Sequence, residues 1–172
     1  MFLNRKNKKT NALEPEKAED KSINLPELSL NPDAFKLKKS PREMSTYSLA
    51  FMGDAVYEAL ARSYIVANSQ SAVGRLHLDK LEIVNASAQF RAAKVIFDYL
   101  TEDERQIFLR GRNAHNAHIP KNKSAEEYRY ATALEALFGY LYLSGKTDRL
   151  YILFDIIMRD INERKDNKKE NE

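Results

Sequence analysis

The stretch Ala131-Thr132-Ala133-Leu134-Glu135-Ala136-Leu137-Phe138-Gly139-Tyr140 is apolar apart from one carboxylate and the hydroxyls of Thr132 and Tyr140, and it follows Ser124-Ala125-Glu126-Glu127, which has the form of a capping box. With Gly145 as a stop, the spacing predicts a helix from Ser124 to about Ser144. A second stretch of the same kind lies far upstream: Leu49-Ala50-Phe51-Met52-Gly53-Asp54-Ala55-Val56. An unpaired carboxylate on an apolar helical stretch is costly, so Asp54 and Glu135 each call for a partner. Solvent or a salt bridge is one answer. A shared divalent cation is the other, and oxygen ligands suit magnesium. Spacing alone leaves both open.

Working outward, Ser45 to about Asn68 reads as a helix with an apolar stripe at Leu49, Met52, Val56, Ala59 and Leu60. Ala72 to Leu100 continues in helical style, in two pieces. Thr101-Glu102-Asp103-Glu104 is another capping box and opens a short helix that Gly111 can close. Thr147 can cap a last helix whose stripe is Leu150, Leu153, Phe154, Ile157 and Ile161. Strand signals are almost absent, so the predicted fold is all-α. Residues 1–40 are rich in Lys, Glu, Asn and Pro without sustained apolar period, which predicts a disordered or loosely attached extension; residues 162–172 predict a fraying tail. The domain proper is expected over 41–161.

With 172 residues the chain is long enough for one domain with a substantial core. It contains no cysteine, which excludes disulfides, thiolate metal sites and thiol redox chemistry and fits a reducing cytoplasm. The N-terminus is too polar for a signal peptide, and the apolar runs are too short and too interrupted to span a membrane. A net charge of +3 says little about nucleic acid unless the cations cluster. They do. From Arg110 to Ser124 there is no acidic residue, while Arg110, Arg112, Lys121 and Lys123 supply charge and Asn113, Asn116, Asn122, His115 and His118 supply hydrogen bonds. That composition suits a phosphate backbone. The pair His115 and His118, without a cysteine or acid nearby, does not make a zinc site.

On the first helix Ala50, Asp54, Glu58 and Arg62 form one i,i+4 column. Glu58 is either an ordinary ion-pair partner of Arg62 or a third acid beside a metal-bound water. Gly53 and Gly139 sit inside helices, where glycine costs about 1 kcal/mol relative to alanine, so a close approach of the two acid-bearing helices is expected there.

The Gly53-Asp54-Ala55 end of the first stretch and Glu135-Ala136-Leu137-Phe138-Gly139 in the second, in this order, resemble the signatures of the ribonuclease III catalytic domain. Ala50 departs from the pattern, since typical members carry a glutamate four residues before the aspartate. That departure, with Arg110-Gly111-Arg112-Asn113-Ala114, Pro120-Lys121-Asn122 and Tyr128-Arg129-Tyr130, is similar to the Mini-ribonuclease III branch, and the likeness spans roughly Ser45 to Arg159, about two thirds of the chain. The resemblance implies the helical fold of the ribonuclease III endonuclease domain with no double-stranded-RNA-binding domain after it. It implies magnesium-dependent cutting of double-stranded RNA, with Asp54 and Glu135 as catalytic metal ligands and 5′-phosphate and 3′-hydroxyl products. Thr132, where the larger family uses an acid, can at most orient a water; otherwise it is a helix-surface hydroxyl. Arg110, Arg112, Asn113, Lys121, Asn122 and Lys123 are expected on the RNA. Phe51 is expected at the interface of a homodimer. The expected role is trimming of the large-subunit ribosomal RNA precursor, with a ribosomal protein as a further partner. The alternative is an RNA-binding scaffold of the same fold without catalysis.

Overall fold

Four helices surround the one that carries Glu135. The computed structural model describes residues 36–68, 72–114 and 124–169. These form α1 (Thr46–Asn68), α2 (Val73–Val84), α3 (Ala86–Ile96), α4 (Glu102–Arg112), α5 (Ala125–Leu143) and α6 (Thr147–Lys169), with 3-10 turns at Pro41–Glu43 and Phe97–Tyr99. No strand occurs among the described residues, so the fold is all-α. Helix α5 packs against α1, α3, α4 and α6. Between Ala131 and Leu141 only Glu135 escapes burial, as expected of a helix that is apolar all round.

The break between α2 and α3 comes from Asn85, whose side chain accepts a hydrogen bond from the Ala88 amide at 2.9 Å and caps α3. The Thr101 capping box is present and anchors a longer-range contact. Glu104, 2 % exposed, accepts from the Thr101 amide at 2.9 Å and takes two hydrogen bonds from Arg149 of α6, at 2.8 and 3.0 Å. At the end of α5, Gly145 adopts φ +67°, and the Gly145 and Lys146 amides donate to the Tyr142 and Leu141 carbonyls. This is a Schellman closure, which favours glycine at that position.

Several local expectations are corrected. Gly111 does not end α4, which runs on to Arg112; it is helical and lies against α5. Ser124 caps α5 by accepting from the Glu126 amide, but Glu127 does not complete a box: its carboxylate accepts from Ser87 Oγ of α3 at 2.9 Å. Thr147 is already inside α6, because the Leu150 amide donates to Lys146. The stripe on α1 also turns: Ala50, Gly53, Tyr57, Ala61 and Ile65 are buried with Leu49, Val56 and Leu60, whereas Met52 and Ala59 are half-buried. Beyond residue 161, α6 continues as regular helix to Lys169, where a fraying tail was expected. Asn162 donates to the Tyr64 hydroxyl and Lys165 pairs with Glu82, which hold this extension to α1 and α2.

The Glu104–Arg149 pair has a measurable pH signature. Burial pushes the Glu104 carboxyl up, but the hydrogen bonds from Arg149 and Thr101 outweigh it and leave the group below its ordinary value. A depressed carboxylate contributes stability that is present above its unfolded pKa and lost as pH falls through the folded one. Arg149→Met should therefore cost about 2 kcal/mol near neutrality, the scale of hydrogen bonds to a charged group. In urea titrations from pH 7 to pH 3, the gap between wild type and variant should narrow as pH falls.

Candidate active site

Helices α1 and α5 cross backbone to backbone. A Cβ added at Gly53 would overlap the Glu135 carbonyl oxygen and stand 2.7 Å from the Gly139 amide nitrogen. One added at Gly139 would overlap the Leu49 carbonyl oxygen and stand 2.9 Å from the Gly53 nitrogen. Side chains tolerate neither, so glycine is required at both positions for this approach. The crossing that sequence led us to expect is present, and it lays the turn bearing Asp54 against the backbone of Glu135. Asp54 is exposed, and no hydrogen bond or ion pair from the described residues engages it. Glu135 is half-buried.

Ala50, one turn before Asp54, is 8 % exposed, so the position that lacks an acid is packed inside. One turn after Asp54, Glu58 accepts from Arg62 Nε at 2.9 Å and Nη2 at 2.5 Å and from Lys80 Nζ of α2 at 3.0 Å. All three donors bond to Oε1. Hydrogen bonds from Arg62 and Lys80 hold the Glu58 carboxyl below its ordinary value. The Arg62 pair follows from i,i+4 spacing, but Lys80 carries no sequence signal, standing 22 residues away. Thr132 is buried, at 5 % exposure, which excludes the helix-surface role. Among the described residues no three Asp, Glu, His or Cys side chains converge. The donor set is a pair of carboxylates on adjoining helices, which fits magnesium, an ion that retains waters and takes one or two protein carboxylates.

The residues expected on RNA separate. Arg110 Nη1 and Nη2 donate to the Arg42 and Met44 carbonyls at 2.7 and 3.2 Å, so this guanidinium serves the chain's own backbone. Arg112 is half-buried with Nε donating to the Asn113 side chain, and Asn113 is exposed at the end of α4. Lys121, Asn122 and Lys123, like His115 and His118, lie outside the described residues. Tyr130 belongs to the core, edge-on to Phe90 and Phe108. Phe51 is 84 % exposed, three residues before Asp54. No helix among the described residues is long and apolar enough to cross a membrane.

The Ribonuclease III domain family model matches residues 47–146. The chain is 41% identical over 126 residues to Mini-ribonuclease 3 of Thermoanaerobacter sp. (strain X514), covering 73% of this chain and 89% of that one. It is 35% identical over 123 residues to Mini-ribonuclease 3 of Staphylococcus aureus, covering 70% and 92%. Among solved structures, a crystal structure of a Fusobacterium nucleatum protein superposes with a TM-score of 0.64 at 31% identity, covering 72% of this chain and 98% of that one.

Proposed function

Since the chain belongs to the ribonuclease III family, in its Mini-ribonuclease 3 branch, and is an endoribonuclease, we propose that it cuts double-stranded RNA with magnesium held by Asp54 and Glu135. The observation that carries this reading is the Gly53–Gly139 crossing, which places Asp54's turn on the backbone of Glu135 at the expense of two helical glycines. The bound ion supplies charge stabilisation at the scissile phosphate. The chain's own residues do the rest. Asp54 and Glu135 furnish hard oxygen ligands. Arg112, Lys121 and Lys123 neutralise phosphates, and Asn113 and Asn122 donate to backbone or 2′-hydroxyl groups, which lets duplex RNA be held by shape with little sequence reading. We assign 5′-phosphate and 3′-hydroxyl ends to the products.

Residues 41–161 form the catalytic unit in this proposal. Two copies associate through Phe51, whose exposure leaves an aromatic ring for a partner subunit to cover, and a two-fold dimer brings one carboxylate pair to each RNA strand. The substrate we assign is the paired ends of the 23S ribosomal RNA precursor in the cytoplasm, with a ribosomal protein assisting. Incubation of the full chain with a generic RNA duplex, with and without magnesium, tests the core of the proposal: cuts only with magnesium support it. Intact duplex that is nonetheless bound would favour the inactive scaffold, the reading that the buried Ala50 in place of an acid keeps open.

Glu58 provides the third carboxylate in this account. With all three donors on Oε1, its Oε2 takes no hydrogen bond from the described residues, and we assign it a water of the ion and not a direct contact, since no three Asp, Glu, His or Cys side chains converge among the described residues. Glu58→Gln should slow single-turnover cutting about ten-fold, roughly 1.4 kcal/mol of barrier, and raise the magnesium requirement. Arg62→Gln should be nearly silent, because Lys80 still holds Glu58. Equal and small effects from both would reduce Glu58 to an ion pair worth under about 1 kcal/mol.

A further inference from the structure

Arg110 opens the basic segment in sequence, yet its guanidinium is turned back onto the chain. Its two terminal nitrogens donate to the Arg42 and Met44 carbonyls. The segment so held is fixed to α4 a second time, by Arg42 donating to Asp103 at 2.8 Å and to Gln106 at 2.6 Å. Met44 immediately precedes Ser45, which caps α1: the Ser48 amide donates to Ser45 Oγ at 3.0 Å and the Leu49 amide to the Ser45 carbonyl at 3.1 Å. Arg110 therefore fixes the start of the helix that bears Asp54. The next residue, Gly111, does the same for the other acid-bearing helix. A Cβ there would stand 2.7 Å from Ala133 Cα, two residues before Glu135. Two consecutive residues of α4 thus seat it against both helices that carry the carboxylates.

We infer that Arg110 is a positioning residue for the Asp54–Glu135 carboxylate pair, acting through the start of α1 and not through contact with RNA. The inference rests on the functional reading above. From Thr46 to Asp54 is about 12 Å of continuous helix at 1.5 Å per residue, so a shift at the start of α1 is carried to Asp54 with little loss. The α5 side is seated on α4 by Gly111 and not by the Arg110 clamp, so a shift at the start of α1 works against the glycine crossing and moves the two carboxylates relative to one another. A lysine cannot replace this arginine, because one ammonium does not reproduce a planar fork that reaches two carbonyls.

The test compares Arg110→Lys and Arg110→Met with wild type on a generic RNA duplex. RNA affinity against salt is measured without divalent ions, and single-turnover cutting at saturating RNA is measured against magnesium. Both variants should keep the wild-type slope of log affinity against log salt. Both should cut about ten-fold more slowly or worse and need more magnesium, with lysine giving no rescue. A slope for Arg110→Met shallower by about 0.7–0.9, one phosphate contact, with saturated cutting unchanged, would place Arg110 on the RNA and overturn the inference. So would a lowered thermal midpoint with wild-type cutting and magnesium dependence in the folded variants, which is a role in stability alone. If the methionine variant does not fold, the lysine variant, which keeps stem and charge, decides. Failure of wild type to cut would overturn the functional reading instead; Mn2+ affinity of Arg110→Lys against wild type then still decides whether Arg110 positions the carboxylates.

Discussion

Asp54→Asn and Glu135→Gln should each abolish magnesium-dependent cutting of duplex RNA while leaving a folded protein that still binds the duplex. Each amide retains the shape of the acid and removes one anionic ligand from a pair. A bound cation is worth several kcal/mol of charge stabilisation in the transition state, so loss of about 4 kcal/mol corresponds to roughly a thousand-fold or more in rate. RNA affinity should hold or rise slightly, since a negative charge has been removed from a surface that meets phosphates. For Asp54→Asn, circular dichroism and the thermal midpoint should stay near wild type because Asp54 is exposed and has no hydrogen bond or ion pair with the described residues to lose. Substantial cutting by either variant would dismiss that residue as a ligand.

The second large effect is on the scaffold of the same site. Gly139→Ala would drive a methyl group into the Leu49 carbonyl, and Gly53→Ala would drive one into the Glu135 carbonyl. Both obstacles are helix backbone and not flexible side chain, so relief requires α1 and α5 to separate. Overpacking of a well-packed core costs about 1–3 kcal/mol, and a clash with backbone belongs at or above the top of that range. For a chain of this size about 3 kcal/mol lowers the thermal midpoint by roughly 6–12 °C. Gly74→Ala is the control: a Cβ on Gly74 meets nothing within 4 Å, and the midpoint should not fall. Whatever folded Gly139→Ala remains should cut poorly, because the parting helices carry the two acids.

Much of this site can be read from residue order alone, because its two acids lie on strongly apolar helices and its glycines are conspicuous where helices disfavour them. Gly53 and Gly139 illustrate this: a residue that costs helix stability invites a question about packing, and the packing is there. Periodicity also places the helices well, since buried stripes, caps and stops are local. What periodicity cannot convey is the partner across a helix pair. Lys80 reaches Glu58 from α2, and Arg149 reaches Glu104 from α6, across 45 residues. Glu127 leaves its expected cap for Ser87 because α3 lies within reach. Arg110 is the instructive case. Its neighbours in sequence are a basic, acid-free run, so composition assigns it to phosphate, yet α4 folds against the segment before α1 and two backbone carbonyls take its hydrogen bonds. Gly111 likewise resembles a helix stop until α5 is seen lying on it.

If Asp54 and Glu135 jointly hold a divalent cation, metal binding reports it without recourse to turnover. Mn2+ titrated as a spectroscopic substitute for magnesium, followed by water-proton relaxation with an RNA duplex present, should reveal a site in the wild-type protein that is lost or greatly weakened in both Asp54→Asn and Glu135→Gln. Wild-type Mn2+ affinity retained in both variants would show that neither carboxylate is needed to hold the ion.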